Sequence, residues 1–172
     1  MAAHIPNDQA GFTLIELVVY VAIVGVLLLS IVSFYGLVID VRVKNQSIAE
    51  VNQQGQLAMD GITQTIRNAT SITTPALASS GAALTLVVPT GSLSPTVFKL
   101  NGTALQITAG VSTPVALTGS KVQISSLTFK NLTRAGTNGI VQVSFVISRT
   151  NNTGRATYDY QKTFTTSAEI GW

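Results

Sequence analysis

The stretch GFTLIEL, residues 11–17, opens the most apolar part of the chain. It leads into residues 17–39, LVVYVAIVGVLLLSIVSFYGLVI, which carry no charge and no proline. At about 1.5 Å per residue, a helix of this length crosses a hydrocarbon core of about 30 Å. We therefore predict a membrane-spanning helix over residues 12–39. A cleavable secretory signal is the alternative, but it requires a shorter apolar core, a basic leader and a small-residue cleavage site.

Glu16 is the only charged residue between Phe12 and Ile39. An ionised carboxylate that faces lipid costs about 2.5–3.5 kcal/mol near the bilayer centre and less towards the interface. One explanation is a carboxylate in the first helical turn, where the helix dipole favours negative charge. The other is a positively charged partner. Periodicity alone favours the first explanation.

Composition excludes most catalytic chemistry. The 172 residues allow one domain with an appendage, and there is no cysteine for a disulfide, a thiolate metal site or a thiol nucleophile. The single histidine, His4, lies in a short polar leader, and the only carboxylates after Arg67 are Asp159 and Glu169. No Ser-His pair or phosphate-binding loop is present. We therefore predict a protein that is not an enzyme and has no catalytic residues, metal or cofactor.

The segment Gly11-Phe12-Thr13-Leu14-Ile15-Glu16, followed directly by an apolar helix, closely resembles the amino-terminal signature of type IV pilins and pseudopilins. The resemblance implies that prepilin peptidase cuts after Gly11, removes residues 1–11 as a leader and methylates Phe12. It also implies an assembly role for Glu16, whose carboxylate pairs with the terminal amine of Phe12 on a neighbouring subunit. The loss of one partner from such a buried pair costs about 3–5 kcal/mol.

The resemblance further implies the location and partners of the chain. The amino terminus lies in the cytoplasm and the head lies outside, in a single-pass cytoplasmic-membrane protein that later joins an extracellular or periplasmic filament. The partners are other pilin or pseudopilin subunits, prepilin peptidase and the inner-membrane assembly platform. Arg42 and Lys44 follow the span, whereas the leader has no Lys or Arg, so the positive-inside rule alone indicates the opposite orientation. Family helices often carry a proline in this span; here helix flexibility would depend on Gly25, Ser33 and Gly36.

An amphipathic continuation of the helix is predicted over residues 40–74. Its apolar stripe follows steps of three and four residues, and it comprises Ile48, Val51, Gly55, Ala58, Ile62, Thr65 and Ala69, widened by Leu57, Met59 and Ile66. The stripe favours packing on a sheet over a coiled coil, because Gly55, Ala58 and Thr65 are poor knobs. The helix should stop before Pro75, and residues 70–83 indicate a surface loop.

Residues 75–172 are predicted to form an antiparallel β-sheet head. Short apolar runs cover residues 84–88, 97–100 and 104–108, with Asn101-Gly102 as a hairpin turn between the last two. Longer alternating runs cover residues 121–129, 140–148 and 155–166, and the first changes phase at Ser125-Ser126, which indicates a β-bulge. A helix followed by strands alone indicates an α+β fold, with the long helix packed on one face of the sheet. Pilins share this architecture.

The function that this resemblance implies is a structural subunit, most like a minor pilin or minor pseudopilin, of a type IV pilus-like or type II secretion-like filament. The alternative is a tip adhesin or DNA-uptake subunit whose basic head binds nucleic acid or another anionic polymer. From Pro75 onward the head has a formal charge of 7 − 2 = +5. Its bases are Lys99, Lys121, Lys130, Arg134, Arg149, Arg155 and Lys162. A membrane-tethered protein with a chance motif is a third reading.

Overall fold

The computed structural model describes residues 11–151, 154 and 159–171. Its first element is the helix α1, Leu14–Arg67, of 54 residues. Among the described residues, α1 is the one helix that is long and apolar enough to cross a membrane. The chain divides into two compact units, Met1–Val41 and Arg42–Trp172. Each unit is described separately below.

In the first unit, α1 is helical without interruption from Leu14 onward. Its apolar side chains are exposed along its length; Leu14, Leu29 and Val32 are 82%, 71% and 69% exposed, for example. An apolar surface of this extent is stable only when lipid or other protein covers it. The predicted helix is confirmed from Leu14 onward, and its exposed apolar surface suits a non-aqueous environment. That it spans a membrane over residues 12–39 stays a prediction.

In the second unit, α1 packs one face against the head. Val51, Gly55, Ala58 and Ile62 of the predicted stripe are buried, as are Met59, Ile66 and Ala69, whereas Ile48 and Thr65 are half-buried. The prediction for Leu57 is wrong, since its side chain is 57% exposed. Leu57 lies two positions from both Gly55 and Met59, and residues two apart on a helix do not share a face.

The helix ends at Arg67, before Pro75 as predicted and earlier than residue 74. The backbone N–H of Gly171 donates to the carbonyl oxygen of Arg67 at 2.9 Å, so the last residues of the head satisfy one of the free carbonyls at this helix end.

The prediction of a surface loop over residues 70–83 is wrong in part. This segment contains two short strands, β1 (Ser71–Thr74) and β2 (Ser80–Gly81). Each lies at the edge of a sheet, where β1 pairs with Leu84–Val87 and β2 pairs with Val122–Asn131. Their local sequence is polar and contains Pro75, so it is the pairing with distant strands that makes these residues extended.

Seven further strands follow in chain order within the described residues. They are β3 (Leu84–Val87), β4 (Thr96–Asn101), β5 (Ala104–Ala109), β6 (Val115–Ala116), β7 (Val122–Asn131), β8 (Ile140–Arg149) and β9 (Gln161–Glu169), with a short 3₁₀ helix at Gly91–Leu93 between β3 and β4. All pairings are antiparallel. The α+β class with a long amino-terminal helix is therefore confirmed.

The strands form two sheets, where the sequence pattern indicated one. The first has the order β1-β3-β4-β5-β6 and the second the order β2-β7-β8-β9. In the first sheet, Asn101 pairs with Ala104 across Gly102, whose φ of +61° suits the predicted Asn-Gly turn. Alternation along a strand reports which face is buried, but it carries no information on which strands pair, and that is why the division was not predicted.

The second sheet contains the three long strands as a meander, β7-β8-β9. The predicted bulge is confirmed: the β7–β8 register shifts between Ser125 and Thr128, and Ser126 adopts a positive φ of 54°. For the last predicted strand, residues 155–158 lie outside the described residues, and β9 runs from Gln161 to Glu169.

The head core lies between α1 and the sheets. Phe98 of the first sheet and Phe129 and Phe145 of the second are fully buried, together with Ile62 and Ile66 of the helix. Phe164 of β9 stacks on Phe145 at 5.6 Å between ring centroids. This packing fixes the helix segment in the second unit relative to its sheets.

Candidate assembly site

The amino-terminal motif places Thr13 at the cap of α1 and Glu16 in its first turn. The backbone N–H of Glu16 donates to Thr13 Oγ1 at 3.3 Å, and the N–H of Leu17 donates to the Thr13 carbonyl oxygen at 3.2 Å. Thr13 therefore satisfies an N–H that would otherwise be free at the helix start. The spacing Thr-x-x-Glu is that of a capping box, so the sequence itself carries a signal for the start of this helix.

The Glu16 side chain is exposed in the first turn of the helix. Among the residues that the structure describes, none forms a hydrogen bond or an ion pair with its carboxylate. The helix dipole favours its charge to the extent of about 0.3–1 kcal/mol, which is less than the cost of placing the charge in lipid. The helix dipole therefore offsets only part of the cost of placing the Glu16 carboxylate in lipid. No other group in the described part of the chain offsets the rest.

Phe12 lies just before the cap, with its side chain 77% exposed. Its ring meets the ring of Tyr20 edge to face, with centroids 6.4 Å apart and planes at 74°. Gly11, the residue before the predicted cleavage position, is also exposed, and no atom lies within 4 Å of the place a Cβ would occupy. The bond between Gly11 and Phe12 thus lies in an open segment ahead of the helix.

The three residues predicted to give helix flexibility all lie within regular α-helix. Gly25 and Gly36 have open space where a Cβ would lie, and Ser33 Oγ donates to the Leu29 carbonyl oxygen at 2.8 Å. Such a bond from a serine to the preceding turn often bends a helix slightly. Flexibility at these positions stays a prediction.

The predicted basic surface is divided. Three of its members contact one segment of α1: Arg149 Nη1 donates to Ser47 Oγ at 2.9 Å, Lys162 Nζ donates to Asn52 Oδ1 at 2.8 Å, and Lys121 Nζ lies 3.7 Å from Glu50 Oε2. The backbone N–H of Gly119 also donates to Gln54 Oε1 at 3.2 Å. These four contacts to residues 47–54 of the helix are called the polar collar below.

The remaining bases lie elsewhere in the head. Lys99 is on β4 of the first sheet, Lys130 is at the opposite end of β7 from Lys121, and Arg134 is in the β7–β8 connection. Arg155 lies outside the described residues. The sequence indicated that the bases were scattered, but it held no signal that three of them contact the helix.

The described residues hold no group of three or more His, Cys, Asp or Glu side chains that could bind a metal ion. A polar cavity of about 450 Å³ lies beside the collar, and Arg149, Asn151 and Asp159 are among its lining residues. Asn151 Nδ2 donates to Asp159 Oδ1 at 2.7 Å, so this carboxylate is held by an amide.

The described residues thus form an exposed apolar helix, long and apolar enough to cross a membrane, and an α+β head. The family model "Prokaryotic N-terminal methylation motif" matches residues 6–32, which include Gly11, Phe12 and Glu16. This match supports the type IV pilin and pseudopilin family for the chain. No curated protein and no solved structure shows significant similarity to it.

Proposed function

We propose that the chain is a structural subunit of a type IV pilus-like or type II secretion-like filament, in the minor class. The methylation motif supports a precursor that prepilin peptidase processes and that is anchored in the membrane before assembly. The helix of the first unit then leaves the lipid and packs against the helices of other subunits. The inner-membrane assembly platform is the partner for this transfer.

The observation that carries the proposal is the position of Glu16 in an exposed apolar helix without a cation of its own among the described residues. Cleavage after Gly11 would create an amine on Phe12, close to Glu16 in the sequence. A neighbouring subunit that is displaced along the helix axis can bring its Phe12 amine to this carboxylate. The paired charges then cost less in a low-dielectric environment than either charge alone.

Determination of the mature amino terminus tests the processing step. In native cells with an active prepilin peptidase, mass spectrometry should find N-methylated Phe12 at the start of the chain. A Gly11→Val variant should keep its leader, whereas an Ala10→Val variant should still be cut and serves as the control. If native cells retain an intact amino terminus ahead of Phe12, the proposal is wrong.

A further inference from the structure

The outer edge of β9 offers a row of unpaired backbone groups. β9 is the last strand of the order β2-β7-β8-β9, so among the described strands it has a neighbour on one side only. On that side, Tyr160 accepts from the N–H of Arg149, and Ile170 donates to Gly139. Backbone groups alternate in direction along an antiparallel strand, so even-numbered residues face β8 and odd-numbered residues face outward.

The outward set consists of Gln161, Thr163, Thr165, Ser167 and Glu169, and all five residues are exposed. No backbone hydrogen bond to any of them from outside the β8–β9 pair occurs within the described part of the chain. Each presents one donor and one acceptor at the regular spacing of an extended strand. Another extended backbone is the chemical partner that matches such a row.

β9 lacks the features that usually protect a sheet edge. It has nine residues, contains no proline, and keeps an unbroken register with β8. Natural edge strands are usually shortened, bulged, or blocked by proline or an inward charge. The Lys162 ammonium does not block this edge, because it donates to Asn52 and lies 5.0 Å from the Phe164 ring centroid on the helix side.

The helix provides a wall beside this edge. An open groove of about 620 Å³ lies between α1 and β9, and its lining includes Asp60, Gln64 and Thr166. A strand added to β9 would place alternate side chains in this groove and the others beside Thr163 and Thr165. The groove is polar, so a partner strand with Ser, Thr, Asn or Gln on that side fits it.

We propose that the outer edge of β9 binds an extended strand from the head of a different filament subunit, which thereby joins the four-stranded sheet. This inference rests on the proposed function. The partner is a different protein because the other edge strands of this chain in its described part, β1, β2 and β6, have four, two and two residues and cannot match nine.

Two copies of β9 are also a poor match for each other. β9 runs parallel to residues 52–67 of α1, because Lys162 contacts Asn52 and Gly171 donates to the carbonyl oxygen of Arg67. Antiparallel pairing of two β9 edges would therefore set their α1 segments in opposite directions, whereas subunits of one filament share a direction. The two copies could instead pair in parallel and in register about a two-fold axis. Each outward N–H would then face the same N–H of the other copy, and each C=O the same C=O, so no hydrogen bond would form.

Photo-crosslinking tests the inference. Because the chain contains no cysteine, Thr163→Cys in the full-length protein gives a single attachment point for a benzophenone maleimide in isolated native membranes. We expect an adduct with a different protein, mapped by mass spectrometry to an extended segment of its head. The control is Thr128→Cys on β7, which lies between β2 and β8 in the strand order. Thr128 is exposed and pairs with Ser144 of β8, and we expect no such adduct there.

A proline–alanine pair, each combined with Thr163→Cys, tests whether backbone hydrogen bonds hold the partner. Ser167→Pro removes an outward N–H without removing a bond to β8, a position where edge strands tolerate proline. It should lower the yield of the benzophenone adduct by about tenfold or more, since several bonds of the added strand lose their geometry, and Ser167→Ala should leave the yield unchanged. Gln161→Pro, at the first residue of β9, repeats the test should Ser167→Pro fail to fold.

Three results would overturn the inference: an adduct only with a second copy of this chain, an equal adduct in the proline and alanine variants, or no adduct with the Thr163→Cys protein. Whether Phe12 is methylated in the same membranes distinguishes a failure of the strand partner from a failure of the proposed function. Methylated Phe12 without a β9 adduct contradicts the strand partner alone, whereas an unprocessed chain contradicts the proposed function as well.

Discussion

Phe164 of β9 occupies the space beside Gly55 of α1. A Cβ at position 55 would collide with the Phe164 ring, so only glycine lets the helix approach the strand this closely. The Phe164 ring also stacks on the ring of Phe145, which is fully buried. It therefore cannot move aside without disturbing the core.

We expect Gly55→Ala to lower the free energy of unfolding by about 1–2 kcal/mol, because the collision outweighs the gain in helix propensity. Gly61→Ala is the matched control. It lies on the same helix with open space at the Cβ, so it should raise stability by about 0.5–1 kcal/mol. Thermal and urea unfolding of the full chain in detergent, followed by circular dichroism, measures both. Equal effects of the two substitutions would contradict this packing argument.

Glu16→Gln should abolish filament incorporation while leaving the precursor in the membrane and the leader cleaved. The amide keeps the shape of the side chain but loses the charge that would pair with the Phe12 amine, a loss of about 3–5 kcal/mol for a buried pair. Thr13→Val removes the helix cap at a cost of about 1 kcal/mol and should permit assembly. Immunoblots of sheared filaments and membranes distinguish the two. Normal assembly of the Gln variant would rule out the pairing.

The collar contact between Arg149 and Ser47 should contribute more than that between Lys121 and Glu50. Arg149 is half-buried and Ser47 is fully buried, whereas the Lys121 side chain is 66% exposed. A double-mutant cycle of Ser47→Ala and Arg149→Ala should give a coupling of about 1–2 kcal/mol. The cycle of Lys121→Ala and Glu50→Ala should give less than about 0.5 kcal/mol. A larger coupling for the exposed pair would reverse this order of importance.

Ser126→Gly should stabilise the head by about 0.5–1 kcal/mol. Ser126 holds a left-handed φ of 54° in the β7 bulge, a conformation that glycine adopts without the clash of a Cβ. Ser125→Gly, one position earlier in β7 and also exposed, should instead destabilise the head by about 0.5–1 kcal/mol, because glycine there only adds freedom to the unfolded chain. Unfolding curves with the same sign for both variants would refute the role of φ.

The residues that the sequence placed correctly are those whose role depends on local pattern. Val51, Ala58 and Ile62 follow helical spacing, Asn101-Gly102 carries its own turn preference, and the phase change at Ser125-Ser126 marks the bulge. The fold class follows from such local signals, because a run of alternating strands after one long helix admits few arrangements.

The residues that the sequence misplaced depend on distant partners. Ser71–Thr74 is extended because it pairs with β3, and Ser80–Gly81 because it pairs with β7. Arg149 contacts Ser47 across 102 positions of sequence, and no local pattern reports such a contact. For the assembly site, Phe12 and Glu16 were found through the motif, since their proposed partners lie on other molecules.

The turn at Asn101-Gly102 provides a practical handle on the molecule. Both residues are exposed, and no atom lies within 4 Å of the Cβ position at Gly102. Exposed hairpin tips of this kind accept inserted residues with little effect on the fold. A short epitope tag placed there would report when the head reaches the cell surface, and it would leave free both the amino-terminal motif and the β9 edge.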